Sequence, residues 1–276
     1  MNNTTVSIVI PVYNRAHLVS RAIDSALAQT VACEVVLVDH GSSDDIGSIV
    51  DKYGDGIRYV RRDVDQGPIA SWLDGAQQAT GQYLHFTYDD DWIQPTFVQE
   101  CLKQFRENVA FVYTRATLYD PDLNPLRAIL RHPAGANSVR DVVQYLLSTP
   151  LTISPGCAMF RRNDILKNLM TEVPGAEGPY GKNSGVGEDL LLFLLTSLDY
   201  GKYVHIPEPL ADFLAHPGSI TINAQQMGRD EALAGSYRVA KAFYMTREGA
   251  RKPLTGVGKA MFDAWWTLRS LVSKRR

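Results

Sequence analysis

Three consecutive carboxylates, Asp89-Asp90-Asp91, close the apolar and aromatic run Tyr83-Leu84-His85-Phe86-Thr87-Tyr88. Adjacent negative charges repel, so stability gives no reason to place them at the end of a buried strand. Cation binding does: Mg²⁺ and Mn²⁺ take oxygen ligands, commonly one or two carboxylates together with phosphate oxygens. The same residues also fit a solvated turn, with Asp91 capping a helix ahead of Pro95. A second acidic pair, Glu188-Asp189, opens the apolar run Leu190–Leu198, where carboxylates suit the positive end of a helix dipole.

The surrounding elements must hold these groups. Val6–Val12 is β-rich and apolar and predicts a buried strand. Apolar pairs at Leu18-Val19, Ala22-Ile23 and Ala26-Leu27 predict a helix over about 17–29. Glu34–Asp39 is a second strand, and Gly41-Ser42-Ser43-Asp44 is turn and cap chemistry before a helix carrying Ile46, Ile49 and Val50. A short strand at Ile57–Val60, a helix over 69–79, a strand at Tyr83–Thr87, a helix over 97–105 and a strand at Val109–Tyr113 follow. This alternation predicts βαβ units and a mostly parallel sheet. Ligands of such sheets bind beyond the carboxyl ends of the strands. Those ends carry Pro11-Val12-Tyr13-Asn14-Arg15, then Asp39, then Asp89-Asp90-Asp91. No GxGxxG follows the first strand and no GxxxxGK[ST] occurs, which sets aside a Rossmann dinucleotide site and a P-loop.

Beyond residue 115 the pattern is less regular. Residues 120–135 predict a hairpin or excursion, 139–147 a helix, and Cys157–Arg162 a strand. The Gly- and Pro-rich stretch 175–187 is long enough for a lid over a site.

The chain has 276 residues, 45% of them hydrophobic, enough for a substantial core. Its three cysteines, Cys33, Cys101 and Cys157, lie far apart and in no CxxC pattern, which argues against a disulfide framework or a thiolate metal site and fits a reducing compartment. Met1–Thr5 has no basic segment, so no secretory signal is expected, and no apolar run reaches the roughly 20 residues of a membrane span. The expected location is therefore cytoplasmic. Net charge is −2, yet residues from Arg229 onward carry +7 and the remainder −9. Val257, Met261, Ala264-Trp265, Leu268 and Val272 recur at helical spacing before Lys274-Arg275-Arg276. That pattern reads either as a basic amphipathic helix on an anionic membrane surface, making the protein peripheral, or as a terminal helix docked on the main body.

Taken in order, these pieces resemble the family-2 glycosyltransferases of the GT-A fold. Val6–Asn14 is similar to that family's opening strand and P-x-Y-N turn. Glu34–Asp39 with Gly41–Asp44 resembles its second strand and D-x-x-S-x-D turn. Gly67 through Tyr83 resembles its G-x-x-x-A-x-x-x-G helix and the A-x-G-x-Y approach to the acidic motif. Gly187-Glu188-Asp189 resembles its E-D motif. Ile206–Leu210 through His216-Pro217-Gly218-Ser219 resembles its closing strand and H-P-x-S segment. Two positions depart: Tyr88 stands where the first Asp of D-x-D-D is usual, and Leu73 where an Asn is usual.

The resemblance implies an α/β, Rossmann-like, mixed but mostly parallel sheet flanked by helices. It divides the chain into a glycosyltransferase domain, 1–220, and a C-terminal helical extension, 221–276. Residues 1–115 form the nucleotide-binding half of the domain and 116–220 the acceptor-binding half. It implies inverting transfer of a sugar from a nucleotide diphosphate donor, UDP or dTDP ahead of GDP, to a hydroxyl of a glycan or lipid-linked acceptor. No nucleic-acid partner is implied. Asp189 becomes the general base. Pro11, Tyr13, Asn14, Asp39, Gly67, Asp89 and Asp90 become nucleotide-sugar contacts, with Asp39 accepting from a pyrimidine N3–H. Mn²⁺ or Mg²⁺ falls to Asp90, Asp91 and His216, although His216 could instead meet phosphate or be a surface residue beside a turn. Glu188 and Arg161 are supporting candidates; strand alternation lets at most one of Arg161 and Arg162 face the site. The competing classes are a nucleotidyltransferase, for which the Gly-rich basic phosphate loop is missing, and a non-catalytic nucleotide-sugar-binding module.

Overall fold

The computed structural model describes residues 5–129, 133–149, 153–180, 182–219, 222 and 226–251. The amphipathic stripe expected over 257–276 lies outside them. Ten strands form one sheet: β1 (Val6–Val12), β2 (Glu34–His40), β3 (Arg58–Arg62), β4 (Tyr83–Phe86), β5 (Trp92–Ile93), β6 (Val109–Tyr119), β7 (Pro125–Ile129), β8 (Gly135–Ser138), β9 (Ala158–Arg161) and β10 (Lys202–Leu214). Eight described helices of at least seven residues accompany it: α1 (Ala16–Leu27), α2 (Ile46–Tyr53), α3 (Pro68–Gln78), α4 (Phe97–Gln104), α5 (Val139–Ser148), α6 (Arg162–Asn168), α7 (Glu188–Thr196) and α8 (Asp230–Arg251).

The strand order is β3-β2-β1-β4-β9-β6-β10-β5, with β7 on β6 and β8 on β10. β3, β2, β1 and β4 run parallel. The strand expected near 157–162 is β9, wedged antiparallel between β4 and β6, and it makes the sheet mixed. The strand expected to end at Tyr113 continues to Tyr119, because β10 pairs with it along its length and β7 returns beside its last residues as the expected hairpin.

This order locates the site. From β1 the chain steps outward to β2 and β3, then crosses back so that β4 lies on the other side of β1. Right-handed crossovers in opposite directions put α1 and α3 on opposite faces of the sheet. The loops after β1 and β4 emerge side by side at the carboxyl ends of these paired strands and border the crevice beyond them.

Buried apolar side chains fill both faces. Ile8, Ile10, Val36 and Val38 are fully buried in the parallel strands, as are Phe111, Phe160 and Phe193 further along. α7 is buried throughout, Glu188 and Asp189 included. α6 and α8 pack against it, and Ala240 and Tyr244 of α8 join the main core. Ser236, Ala240 and Tyr244 thus pack one side of this helix against the body of the protein.

Candidate active site

At the β1/β4 crevice the two loops meet through Arg15. Its Nη1 donates to Asp90 Oδ2 at 2.7 Å and Asp89 Oδ1 at 3.1 Å, and its Nη2 donates to the Gly218 carbonyl at 2.7 Å. One guanidinium thus bridges the loop after β1, the acidic turn after β4 and the segment after β10. The acidic turn sits on an aromatic stack in which Trp72 of α3 lies 5.2 Å from Phe86 and 5.5 Å from Tyr88. Tyr88 replaces the usual Asp of the motif with a ring that fills this stack, and its hydroxyl lies 3.5 Å from Ser154 Oγ.

The three carboxylates have separate fates. Asp89 is buried and pushed up to about 7 by loss of hydration, against the pull of Arg15 and with a further push from Asp90. Asp90 is gripped by Arg15 and by His216, whose Nε2 lies 2.9 Å from Asp90 Oδ2. Asp91, expected to ligate metal, is spent otherwise. Its Oδ1 accepts the Leu214 N–H at 2.9 Å, and burial first, then Asp90, raise its pKa strongly. It fastens the turn to β10.

His216, expected to ligate metal or to meet phosphate, is brought to the acidic turn: its Nε2 lies 2.9 Å from Asp90 Oδ2, and the Gly218 N–H donates to its Nδ1 at 3.2 Å. Asp89 and Asp90 do fit a hard cation: adjacent carboxylates at the crevice, with a positive charge already drawn to both. Among the described residues no group of three or more His, Cys, Asp and Glu side chains is arranged to hold a metal ion.

The other side of the crevice is built from the ends of β1, β2 and β3. Tyr13 is 45% exposed at its rim, and half-buried Pro11 closes β1. Asn14 has φ 54°, a left-handed conformation that Asn tolerates. In that pose its N–H meets Ser42 Oγ at 2.9 Å and its Oδ1 accepts from Ser43 N at 2.8 Å, which locks the first two loops together. Asp44 of the second loop accepts the Ala16 N–H and so caps α1 from outside the helix. Asp39 is fully covered. Its carboxylate accepts from Ser42 N at 2.8 Å, from the Tyr59 hydroxyl at 2.7 Å and from Arg61. Burial opposes ionisation, but these donors outweigh it and hold the pKa below the usual carboxylate value. Arg61 thus occupies the carboxylate expected to read a pyrimidine N3–H. Gly67 serves the backbone: its φ is +91°, and a Cβ there would lie 2.3 Å from the Asn183 carbonyl oxygen.

Asp189 opens α7 on the Tyr88 side of the acidic turn and is 7% exposed. Its Oδ1 accepts the Gly187 N–H at 2.8 Å and its Oδ2 the Tyr237 hydroxyl at 3.0 Å. Burial pushes its pKa up to about 7 against those hydrogen bonds. Glu188 turns back to bond Ser184 through backbone and hydroxyl, and so steadies the 175–187 loop.

Arg161 is not at the site. It pairs with Tyr83, the first residue of β4, at the opposite end of the sheet. Its guanidinium bonds the carbonyls of Val109 and Arg106 and lies over the Tyr200 ring. Arg162 is spent on the Ala76 and Gln77 carbonyls. An antiparallel strand reverses which end of the sheet its last residue reaches, and that pairing is not legible from one strand.

Sequence reasoning passed over Arg15, Tyr59, Arg61 and Tyr237 as functional residues. The rule about strand ends could have found Arg15 and Arg61, which lie at the ends of β1 and β3. Nothing local marks Tyr237, which reaches Asp189 from 48 positions away.

Known proteins resemble this chain in two ways. The family model for glycosyl transferase family 2 matches residues 7–169. The chain is 38% identical over 122 residues to a chondroitin synthase of Pasteurella multocida strain Pm70 and, equally, to a hyaluronan synthase of Pasteurella multocida; the match covers 42% of this chain and 13% of each relative. An uncharacterized glycosyltransferase of Rickettsia felis is 36% identical over 111 residues, 39% of this chain and 18% of that one. The chain thus matches less than a fifth of the length of these relatives. Among solved structures, S. aureus TarS 1–349 in complex with UDP-GlcNAc superposes with a TM-score of 0.63 over 92% of this chain and 77% of that one, at 16% identity. That likeness concerns the fold.

Proposed function

The chain belongs to glycosyl transferase family 2, and from that premise we propose that it moves a sugar, with inversion, from a nucleoside diphosphate sugar to a hydroxyl of a glycan or lipid-linked acceptor. The observation that carries this reading is the arrangement at the β1/β4 crevice. Tyr13 and Asp39 at the ends of β1 and β2, the Asp89-Asp90 turn after β4 and the buried Asp189 opening α7 are all held by one sheet and its helices, which supports a nucleotide on the first two groups and an acceptor at the third. The two Pasteurella relatives are polysaccharide synthases by name and the S. aureus structure holds UDP-GlcNAc; both support a UDP-type donor and a role in polysaccharide biosynthesis. No described helix is long and apolar enough to cross a membrane.

In this mechanism the nucleobase packs against Tyr13, and Arg61 yields or shares Asp39 when the base arrives. Asp89 and Asp90 receive the ribose and diphosphate, with Arg15 beside them. Asp90, with Asp89, would hold Mg²⁺ or Mn²⁺. The cation supplies charge neutralisation for the diphosphate leaving group. Asp189 takes the proton of the acceptor hydroxyl as its oxygen attacks the anomeric carbon. One C–O bond forms on one face while the bond to the diphosphate breaks on the other, which inverts the centre. A base with a pKa near 7 is well matched to neutral pH.

The test is calorimetry and turnover with a panel of UDP-, dTDP- and GDP-sugars, each with and without EDTA, on the wild type and Asp90→Ala. Asp90→Ala is expected to lose most activity and to weaken nucleoside diphosphate binding. Full activity in EDTA, together with an unaffected Asp90→Ala, would remove the cation from the mechanism. Donor binding with neither nucleotide release nor sugar transfer to any acceptor would favour a binding module.

A further inference from the structure

We propose that Tyr237 is a positioning residue for Asp189, so that helix α8 is part of the catalytic apparatus. The inference rests on the reading of Asp189 as the base.

The geometry is specific. The Gly187 N–H and the Tyr237 hydroxyl hold opposite oxygens of the Asp189 carboxylate, and the Leu190 N–H is a second backbone donor. Both backbone donors belong to the start of α7, so the Tyr237 hydroxyl is the donor that ties the carboxylate to another element of the fold. The phenol is the proton donor: burial first and the Asp189 charge next push its pKa well above the usual tyrosine value. The titratable groups facing Asp189 are Glu188 beside it on α7, Tyr237 on α8 and Tyr88 in the acidic turn. Only Tyr237 donates a side-chain hydrogen bond to it.

The placement of Tyr237 is itself fixed. Its neighbour Ser236 is buried, with Oγ 2.9 Å from the Tyr180 carbonyl and 2.7 Å from the Val186 carbonyl. Both carbonyls belong to the 175–187 region that leads into α7. One turn on, Ala240 and Tyr244 are buried in the core. Consecutive residues of α8 therefore hold the loop before the base and the base itself. A tyrosine kept only for its ring would pack equally well as phenylalanine; the hydroxyl is what the site uses.

Removing that hydroxyl withdraws a hydrogen bond from the charged form of Asp189, so its pKa must rise. The experiment is a ¹³C titration of aspartate-labelled full-length protein, with the Asp189 carboxyl signal assigned by its loss in Asp189→Asn. It is followed by the pH dependence of kcat with UDP-GlcNAc, or with whichever donor the panel finds active. In Tyr237→Phe the Asp189 midpoint is expected to move upward by about one to two pH units, the size of one lost hydrogen bond to a charged group. The acid limb of kcat should move with it. An unmoved midpoint overturns the inference, whether or not activity falls. Should Tyr237→Phe not fold, 3-fluorotyrosine placed at 237 keeps the volume and strengthens the donor, so the midpoint should fall; no change overturns the inference equally. The base reading fails by a different result, near wild-type turnover in Asp189→Asn. Loss of turnover there with an unmoved midpoint in Tyr237→Phe would leave the base in place and remove Tyr237.

Discussion

Arg15 Nη1 lies 2.7 Å from Asp90 Oδ2 and 3.1 Å from Asp89 Oδ1, and these contacts join the loop after β1 to the turn after β4. The three side chains are largely covered, with exposures of 24%, 11% and 12% for Arg15, Asp90 and Asp89. An acidic turn in such a place needs a positive charge, and here the chain supplies one of its own.

Arg15 is therefore expected to compete with a divalent cation for the same oxygens. Arg15→Ala should bind Mn²⁺ more tightly in calorimetry and be less stable without it, by about 2 kcal/mol, the order of a hydrogen bond between charged groups. Adding Mn²⁺ should restore part of the lost melting temperature through binding to the folded state. Weaker Mn²⁺ binding in the variant would mean that Arg15 helps to build the cation site and does not occupy it.

Asp189→Asn keeps the size of the side chain but cannot accept a proton. Donor binding should survive, while turnover falls by roughly 10²–10⁴-fold, the usual loss for a missing general base. Because the wild-type carboxyl has its pKa pushed up to about 7, it is protonated and inactive as a base below that value. The wild-type kcat should accordingly drop as pH falls through 7. Glu188→Gln removes a neighbouring negative charge that helps to raise that pKa, so the limb should move to lower pH.

Asp39 makes a prediction of the opposite sign. Its folded pKa is depressed, so its contribution to stability is fully present above the unfolded value and is lost as pH falls through the folded one. Asp39→Asn should lower the urea midpoint at pH 7 and narrow its difference from the wild type in strong acid. The cost at pH 7 is about 2 kcal/mol, because Ser42, Tyr59 and Arg61 lose a charged acceptor. An equal loss at pH 7 and at pH 2 would mean that shape, not charge, is what Asp39 supplies.

The residues past α8 have their own test. If Phe262, Trp265 and Trp266 enter a membrane interface, the full chain should sediment with anionic vesicles, and salt should weaken binding by screening Lys274, Arg275 and Arg276. Deletion from Gly256 onward should abolish sedimentation and leave turnover of soluble acceptors intact. Aggregation of the truncated protein would place the apolar stripe in the core instead.

The sequence by itself determined the parallel β1–β4 unit, because each element there is local. A buried strand shows as an apolar run, a helix as a 3.6-residue stripe, and the turns as Gly, Ser and Asp clusters, all within a window of a few residues. It also placed Asp39, Asp89 and Asp90 at one edge of the sheet, since parallel strands share a carboxyl end. Which carboxylate does what was decided only by tertiary structure. Asp91 is drawn to the Leu214 N–H from 123 positions away, and His216 is brought to Asp90 from 126 positions away. Arg161 is carried to the far edge by an antiparallel pairing. Asp189 has its pKa pushed up to about 7 by burial, against hydrogen bonds that include the Tyr237 hydroxyl from 48 positions away. Burial and hydrogen-bond donors set a carboxylate's chemistry, and both come from residues that meet only when the chain has folded.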